Sequence, residues 1–299
     1  MKNILFSKIT TNKNDGLTEQ VFSLINSIFI AKEQKKKVII LDSFKNENIP
    51  IPCFEVFELD ALNNFLKEHD IFIIDKTCID YKINALLYNQ DNKVVDMTDN
   101  ISKVINPPKN VTQVFINYTI NNKTFSETYP RINLTTDIEL YTYTYQHLDE
   151  NIKKDKLFES ILKNIDFKPY LKKVTNFDNI IHINEEIKKY AGVNTGQYKY
   201  KLDQTYIHLI MEFMNKDETI LLIGKSENQT VNDFLKENDY KYEVEILTDS
   251  FKEIELLHCE CKTFVGNFDL EYLKGNAYSY YLSNKLKCEK KIMIDLYNL

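Results

Sequence analysis

The chain has 299 residues, 38 basic and 44 acidic, for a formal net charge of −6, with 43% hydrophobic and 27% charged residues. That balance excludes a largely disordered chain and gives no general attraction to phosphate backbones, so a nucleic-acid partner is not expected. The length suits two domains of roughly 150 residues, and the longest apolar runs, such as Ile71-Phe72-Ile73-Ile74, are far shorter than the ~20 residues of a membrane helix, so no membrane span is expected.

In chain order, Ile4-Leu5-Phe6 reads as a short strand. A polar loop leads to Asp15, placed to cap a helix in which Val21, Leu24, Ile25 and Ile28 recur at helical spacing. Lys35-Lys36-Lys37 suits the negative end of that helix, and Val38-Ile39-Ile40-Leu41 follows as a continuous apolar strand. A second helix over 60–68 leads into a strand at 71–75, so the N-terminal half reads as successive βαβ units. Residues 89–130 are rich in Asn and interrupted by Pro107-Pro108, and loops and edge strands are expected there. Tyr141, Tyr143 and Tyr145 alternate as in a strand with one aromatic face. A charged helix over 149–164 marks the crossing between an N-terminal domain, 1–150, and a C-terminal domain, 151–299.

The second half alternates more cleanly. Strands are expected at 180–183, 219–223, 242–247, 262–265 and 291–294, with helices at 206–214, 231–237, 251–258 and 276–286. Such alternation implies a parallel sheet covered on both faces, with ligands beyond the carboxyl ends of its strands. Polar residues collect there: His182, Asn184, Glu185 and Glu186 after one strand, Gly224, Lys225 and Ser226 after the next, then Asp249, then Gly266 and Asn267. Lys274-Gly275-Asn276-Ala277-Tyr278-Ser279 opens a helix whose free amides and dipole suit a phosphate, or form a plain helix start.

Arg131 is the only arginine, so bidentate guanidinium recognition is almost unavailable and lysines or backbone amides must hold any anion. Five cysteines, an odd and sparse set, fit a reducing compartment, and the N-terminus lacks the apolar stretch of a secretory signal, so a cytoplasmic location is expected. His258-Cys259-Glu260-Cys261 offers metal-ligand chemistry or, more simply, a helix end running into a strand.

The stretch from Gly16 through Gln20 to Phe22, the run Phe264-Val265-Gly266-Asn267 ahead of Gly275-Asn276-Ala277-Tyr278-Ser279, and His182-Ile183-Asn184 followed by Glu185 and Glu186 together resemble the fucosyltransferase-like branch of GT-B glycosyltransferases, which includes protein O-fucosyltransferases and related proteins of large DNA viruses. The resemblance spans nearly the whole chain. It implies two Rossmann-like domains facing a cleft, the first on the acceptor side and the second on the donor side. It further implies transfer of a sugar, fucose-like by preference, from a nucleotide diphosphate sugar, GDP-linked by preference, to a glycan or glycoprotein hydroxyl. No metal and no further cofactor are implied, in keeping with the lack of an Asp-x-Asp pair after any expected strand. Carried onto this sequence, Gly16, Gln20, Gly224, Lys225, Ser226, Asp249, Gly266, Asn267, Lys274, Asn276, Ala277, Tyr278 and Ser279 would surround the donor. His182, Asn184, Glu185 and Glu186 would serve the chemistry, with one of the two glutamates as base. Asn184 stands where the family has an arginine that offsets diphosphate charge, and Thr18 and Glu19 replace a glycine and an asparagine of the first motif. A chain that keeps the fold as a non-catalytic binding or scaffold protein is therefore the alternative reading.

Overall fold

The computed structural model describes residues 4–7, 9, 16–75, 77, 82–98, 108–120, 123–130, 156–173, 175–182, 186–188, 197–199, 204–224, 229–266, 268–269, 274–275 and 277–294. The fold is mixed α/β. In the first half, β1 (Ile4–Ser7), β2 (Val38–Leu41) and β5 (Phe72–Asp75) form a parallel sheet in the order β1-β2-β5. Between the last two lie the hairpin β3 (Ser43–Asn46) and β4 (Ile49–Pro52), a single turn α2 (Cys53–Val56) and helix α3 (Leu59–Leu66).

Helix α1 (Leu17–Glu33) is buried on nearly every side until its last turn. It is apolar around most of its circumference, as a helix enclosed by protein must be. Leu17, Val21, Phe22, Leu24, Ile25 and Ile28 are completely buried. At roughly 1.5–3 kcal/mol each, they outweigh the ~1–3 kcal/mol cost of each buried polar atom left without a partner, Thr18 Oγ1 and Asn26 Nδ2. The N-cap is Gly16, and Asp15, the expected cap, lies outside the described residues. At the other end Lys35 is left-handed, with φ 54°, while its amide bonds the Lys32 carbonyl and the Lys36 amide that of Ala31. This is a Schellman turn with lysine in the position glycine usually takes.

Residues 82–130 contain a four-stranded antiparallel sheet, where loops and edge strands are expected over 89–130. Strands β6 (Lys82–Tyr88), β7 (Val94–Thr98), β8 (Gln113–Ile120) and β9 (Lys123–Pro130) run in the order β7-β6-β8-β9. The register brings Ile120 opposite Lys123 across only two residues. Thr, Tyr, Phe and Val carry the β preference along these strands, whereas Asn and Pro suggested loops.

Helix α4 (Lys156–Asn164) and the short 3-10 turn Pro169–Leu171 belong by sequence to the second half, yet the stretch they belong to touches both halves, with α4 against α1 and α3 and the 3-10 turn against the helix over 250–256. Phe57 bridges Phe167, the Glu58 amide bonds the Asp166 carbonyl, and Lys168 Nζ lies 3.1 Å from Glu58. The proposed boundary at 150 and the tyrosines at 141–145 lie outside the described residues.

The second sheet is entirely parallel. Its strands are β10 (Asn176–His182), β13 (Thr219–Gly224), β14 (Lys241–Ile246), β15 (Glu260–Gly266) and β18 (Lys287–Met293), and their order is β14-β13-β10-β15-β18. Helices α5 (Gln204–Met211), α6 (Gln229–Glu237), α7 (Ser250–Leu256) and α8 (Ala277–Lys285) connect them. Numbered by position in the chain, this is the doubly wound order 3-2-1-4-5. Alternate residues serve opposite faces. Ile180, Leu221, Ile223 and Phe264 join a core shared with α1, α7, α8 and the first sheet, while Ile181, Ile220, Leu222 and Val265 pack with Ile207, Ile210, Val231 and Leu235 of α5 and α6. The first of these clusters runs through both halves of the molecule. Two short pairs, β11 (Glu186–Lys188) with β12 (Gln197–Lys199) and β16 (Phe268–Asp269) with β17 (Lys274–Gly275), complete the described elements. Among the described residues no helix is long and apolar enough to cross a membrane.

Candidate functional site

A doubly wound sheet opens a crevice where its strand order reverses, because the crossovers on either side leave that point in opposite directions. Here the reversal falls between β10 and β15, whose last residues, His182 and Gly266, are register partners. The start of α8 closes over this point. Ser279 Oγ lies 2.5 Å from His182 Nδ1 and donates to the His182 carbonyl at 3.4 Å, and both side chains are buried. The Tyr278 ring meets the His182 imidazole edge-on at 5.2 Å. A Cβ on Gly266 would stand 2.9 Å from the Phe264 ring and 3.2 Å from Ser279 Cβ. Glycine is thus what lets α8 approach the sheet this closely. Gly224 ends the neighbouring strand, and its carbonyl accepts from the Leu247 amide at 2.8 Å.

The first half reaches this edge through Glu253, a residue the sequence reading missed. Its buried carboxylate accepts the Leu17 amide at 2.7 Å, and so caps α1 from 236 positions away. Tyr278 Oη donates to the Glu253 carbonyl at 2.7 Å, and burial pushes the Tyr278 hydroxyl well above the usual phenol range, so it acts as a neutral donor. A Cβ on Gly16 would come within 3.1 Å of the Glu19 carboxylate and 3.3 Å of that of Glu253. Nothing in a seven-residue helix with two buried polar residues, Ser250 and Glu253, betrays such a long-range cap, so no sequence signal could have found Glu253.

Of the residues expected at the site, His182, Gly266, Tyr278 and Ser279 meet at one point, and Gly16 adjoins it through Glu253. Gln20 is engaged elsewhere, since its amide bonds both the N–H and the carbonyl of Lys45, each at 2.8 Å, and ties α1 to the β3–β4 hairpin. The Asp249 carboxylate caps α7 by accepting from the Phe251 and Lys252 amides at 2.9 and 3.1 Å. Glu186 opens β11 opposite Lys199, Lys274 opens β17 opposite Asp269, and Ala277 is the first residue of α8. Asn184, Glu185, Lys225, Ser226, Asn267 and Asn276 lie outside the described residues.

The run from His258 to Cys261 leads from the turn after α7 into the first two residues of β15, close to its simpler reading. His258 meets the Phe167 ring edge-on, Cys259 is a buried free thiol, and Cys261 is disulfide-bonded to Cys288. No sequence signal points to that bond, because its partners become neighbours only when β15 and β18 align. At the opposite, amino edge of the sheet the described surface carries an open depression of about 590 Å³, lined in part by Asp178, Lys262 and this disulfide.

No protein-family model matches the chain, and no curated protein matches it.

Proposed function

We propose that the protein is a glycosyltransferase of the fucosyltransferase-like GT-B kind, which binds a nucleotide diphosphate sugar at the carboxyl edge of the second sheet and transfers its sugar with inversion and without a metal. The observation that carries this reading is the strand reversal at His182 and Gly266 with the first turn of α8 closed over it, the place where open α/β sheets take their ligands. The first-turn amides of α8 would receive the diphosphate. The buried His182–Ser279 contact would hold that turn in place. A carboxylate from Glu185 or Glu186 would take the proton of the acceptor hydroxyl as its oxygen bonds the anomeric carbon, and the nucleoside diphosphate would leave from the opposite face.

With Asn184 uncharged, a lysine must offset the charge of the leaving diphosphate. Lys225 follows the end of β13 and Lys274 precedes α8. Removing a cation that contacts a desolvated diphosphate costs roughly 2–4 kcal/mol in the transition state, so Lys225→Ala or Lys274→Ala should lower turnover at least about thirtyfold with Tm nearly unchanged. Asn184→Arg should raise donor affinity, and a strong chelator should change neither binding nor turnover. If both lysine variants match the parent and Asn184→Arg gains nothing with any nucleotide sugar, the transferase reading fails.

One observation favours the second reading, a binding or scaffold protein that keeps the fold without the chemistry. At the amino end of α1, in the stretch that resembles the family's donor motif, the Leu17 amide is already bonded to the Glu253 carboxylate. The two readings separate on nucleoside diphosphates: a transferase should gain thermal stability from them, about 2.7 kcal/mol at a hundredfold excess over Kd, and a scaffold should gain none.

A further inference from the structure

We propose that Cys261–Cys288 is a reversible disulfide, open to thiol–disulfide exchange in the folded protein, that fastens the last strand of the second sheet. The two residues are register partners on β15 and β18, with Cα atoms 4.9 Å apart, a separation that suits a disulfide. β18 is an edge strand with little apolar anchorage at its start. Lys287, Glu289, Lys290 and Lys291 surround Cys288, and Ile292 is the first large apolar side chain. The covalent bond therefore supplies at this end of the strand what burial supplies elsewhere.

The bond also closes a loop 27 residues long in sequence separation, which contains Gly266, Tyr278, Ser279 and the whole of α8. Access is from the depression at the amino edge of the sheet, which both cysteines line, with Cys261 buried and Cys288 half-buried. The cysteines outside the disulfide among the described residues are shielded: Cys53 is 0% exposed and Cys259 1%. Burial further pushes the Cys259 thiol up, so it is a poor competitor in exchange.

A dithiol attacks Cys288 Sγ as its thiolate, and the Cys261 sulfur leaves and takes up a proton. The second thiol of the reagent then resolves the mixed disulfide and releases Cys288 as a thiol, so two electrons and two protons reach the protein and the reagent becomes a cyclic disulfide. Oxidised glutathione reverses the change, accepting the two electrons and two protons as two molecules of glutathione.

The test is residue-mapped alkylation with N-ethylmaleimide together with thermal melting, on the whole chain without denaturant. After oxidised glutathione, Cys261 and Cys288 should both resist alkylation; after dithiothreitol both should react, while Cys53 and Cys259 should react only in denaturant. Reduction should lower Tm by about 5 °C or more, and the Cys288→Ser variant should melt at that lower temperature with or without dithiothreitol. Alkylation of either cysteine in the oxidised protein would overturn the proposal. So would a pair reducible only in denaturant, or a Tm that reduction leaves unchanged.

Discussion

Gly266 and Ser279 show how little room a single residue has at the strand reversal. A methyl group at Gly266 would press on the fully buried Phe264 ring at 2.9 Å and on Ser279 Cβ at 3.2 Å, and a packed core yields to such an insertion at a cost of about 1–3 kcal/mol. Gly266→Ala is therefore expected to lower Tm and to reduce nucleoside diphosphate affinity in the same variant; a variant that melts and binds like the parent would remove the close approach from the account. His258 makes a second prediction at this scale. Burial is the main cause that holds its pKa below the ordinary 6.5, with Lys172 adding to the effect and Asp166 opposing it. The unfolded chain then takes up the proton first as pH falls, so the stabilisation is complete above about pH 6.5 and is lost below it as the folded value is approached. Between about pH 7.5 and about pH 5.5 the protein should lose more in Tm than its His258→Gln variant. Equal losses would show that His258 plays no part.

The elements divide by what their sequences disclose. Val38–Leu41 and Thr219–Gly224 are legible as strands because they are buried on both faces and so apolar without interruption. The helices of the second half are legible from their spacing, and the place of His182 and Gly266 at the carboxyl edge followed from the alternation, while Tyr278 and Ser279 were legible as the start of a helix. Strands β8 and β9 were hidden by the Asn and Pro residues that punctuate this part of the sequence, among them Pro107, Pro108, Asn121 and Asn122. The Cys261–Cys288 bond and the Glu253 cap were hidden for another reason: each joins residues that only the packed structure makes adjacent.

A chain with only 6 glycines also has to end its helices without them. Lys35, Asp70 and Asp239 all lie in the left-handed region, with φ of 54°, 56° and 56°, and each is followed by an amide that reaches back to the helix, Lys36 to Ala31, Ile71 to Leu66 and Tyr240 to Leu235. A side chain in that conformation costs roughly 1–2 kcal/mol, part of which glycine returns in the entropy of the unfolded chain. Lys35→Gly, at an exposed position, should thus raise stability by about 0.5–1 kcal/mol in denaturant unfolding. A loss of stability there would mean that Lys35 is held by its side chain rather than tolerated.

At the scale of the whole molecule, two parallel sheets are separate, yet one hydrophobic cluster includes Leu5, Leu41, Phe158, Leu221 and Phe264 from both halves. Helix α1 is the hub. It packs on β1 and β2 of the first sheet and on α7 and α8 of the second half, and the stacked Phe44 and Phe251 rings, 6.3 Å apart, add a further joint. The polar groups of the strand reversal and the Glu253 cap of α1 lie along this joint, so a ligand at the reversal would bear on both halves at once. Binding of a nucleoside diphosphate at the carboxyl edge of the second sheet without a metal, as proposed above, can be read by hydrogen–deuterium exchange with guanosine diphosphate in the presence of a chelator. Slower exchange is expected in the segments that follow β10, β13 and β15 and in the first turn of α8, with no change at the amino edge around 176–178, 260–262 and 287–289. Unchanged exchange throughout, or protection at the amino edge instead, would contradict it.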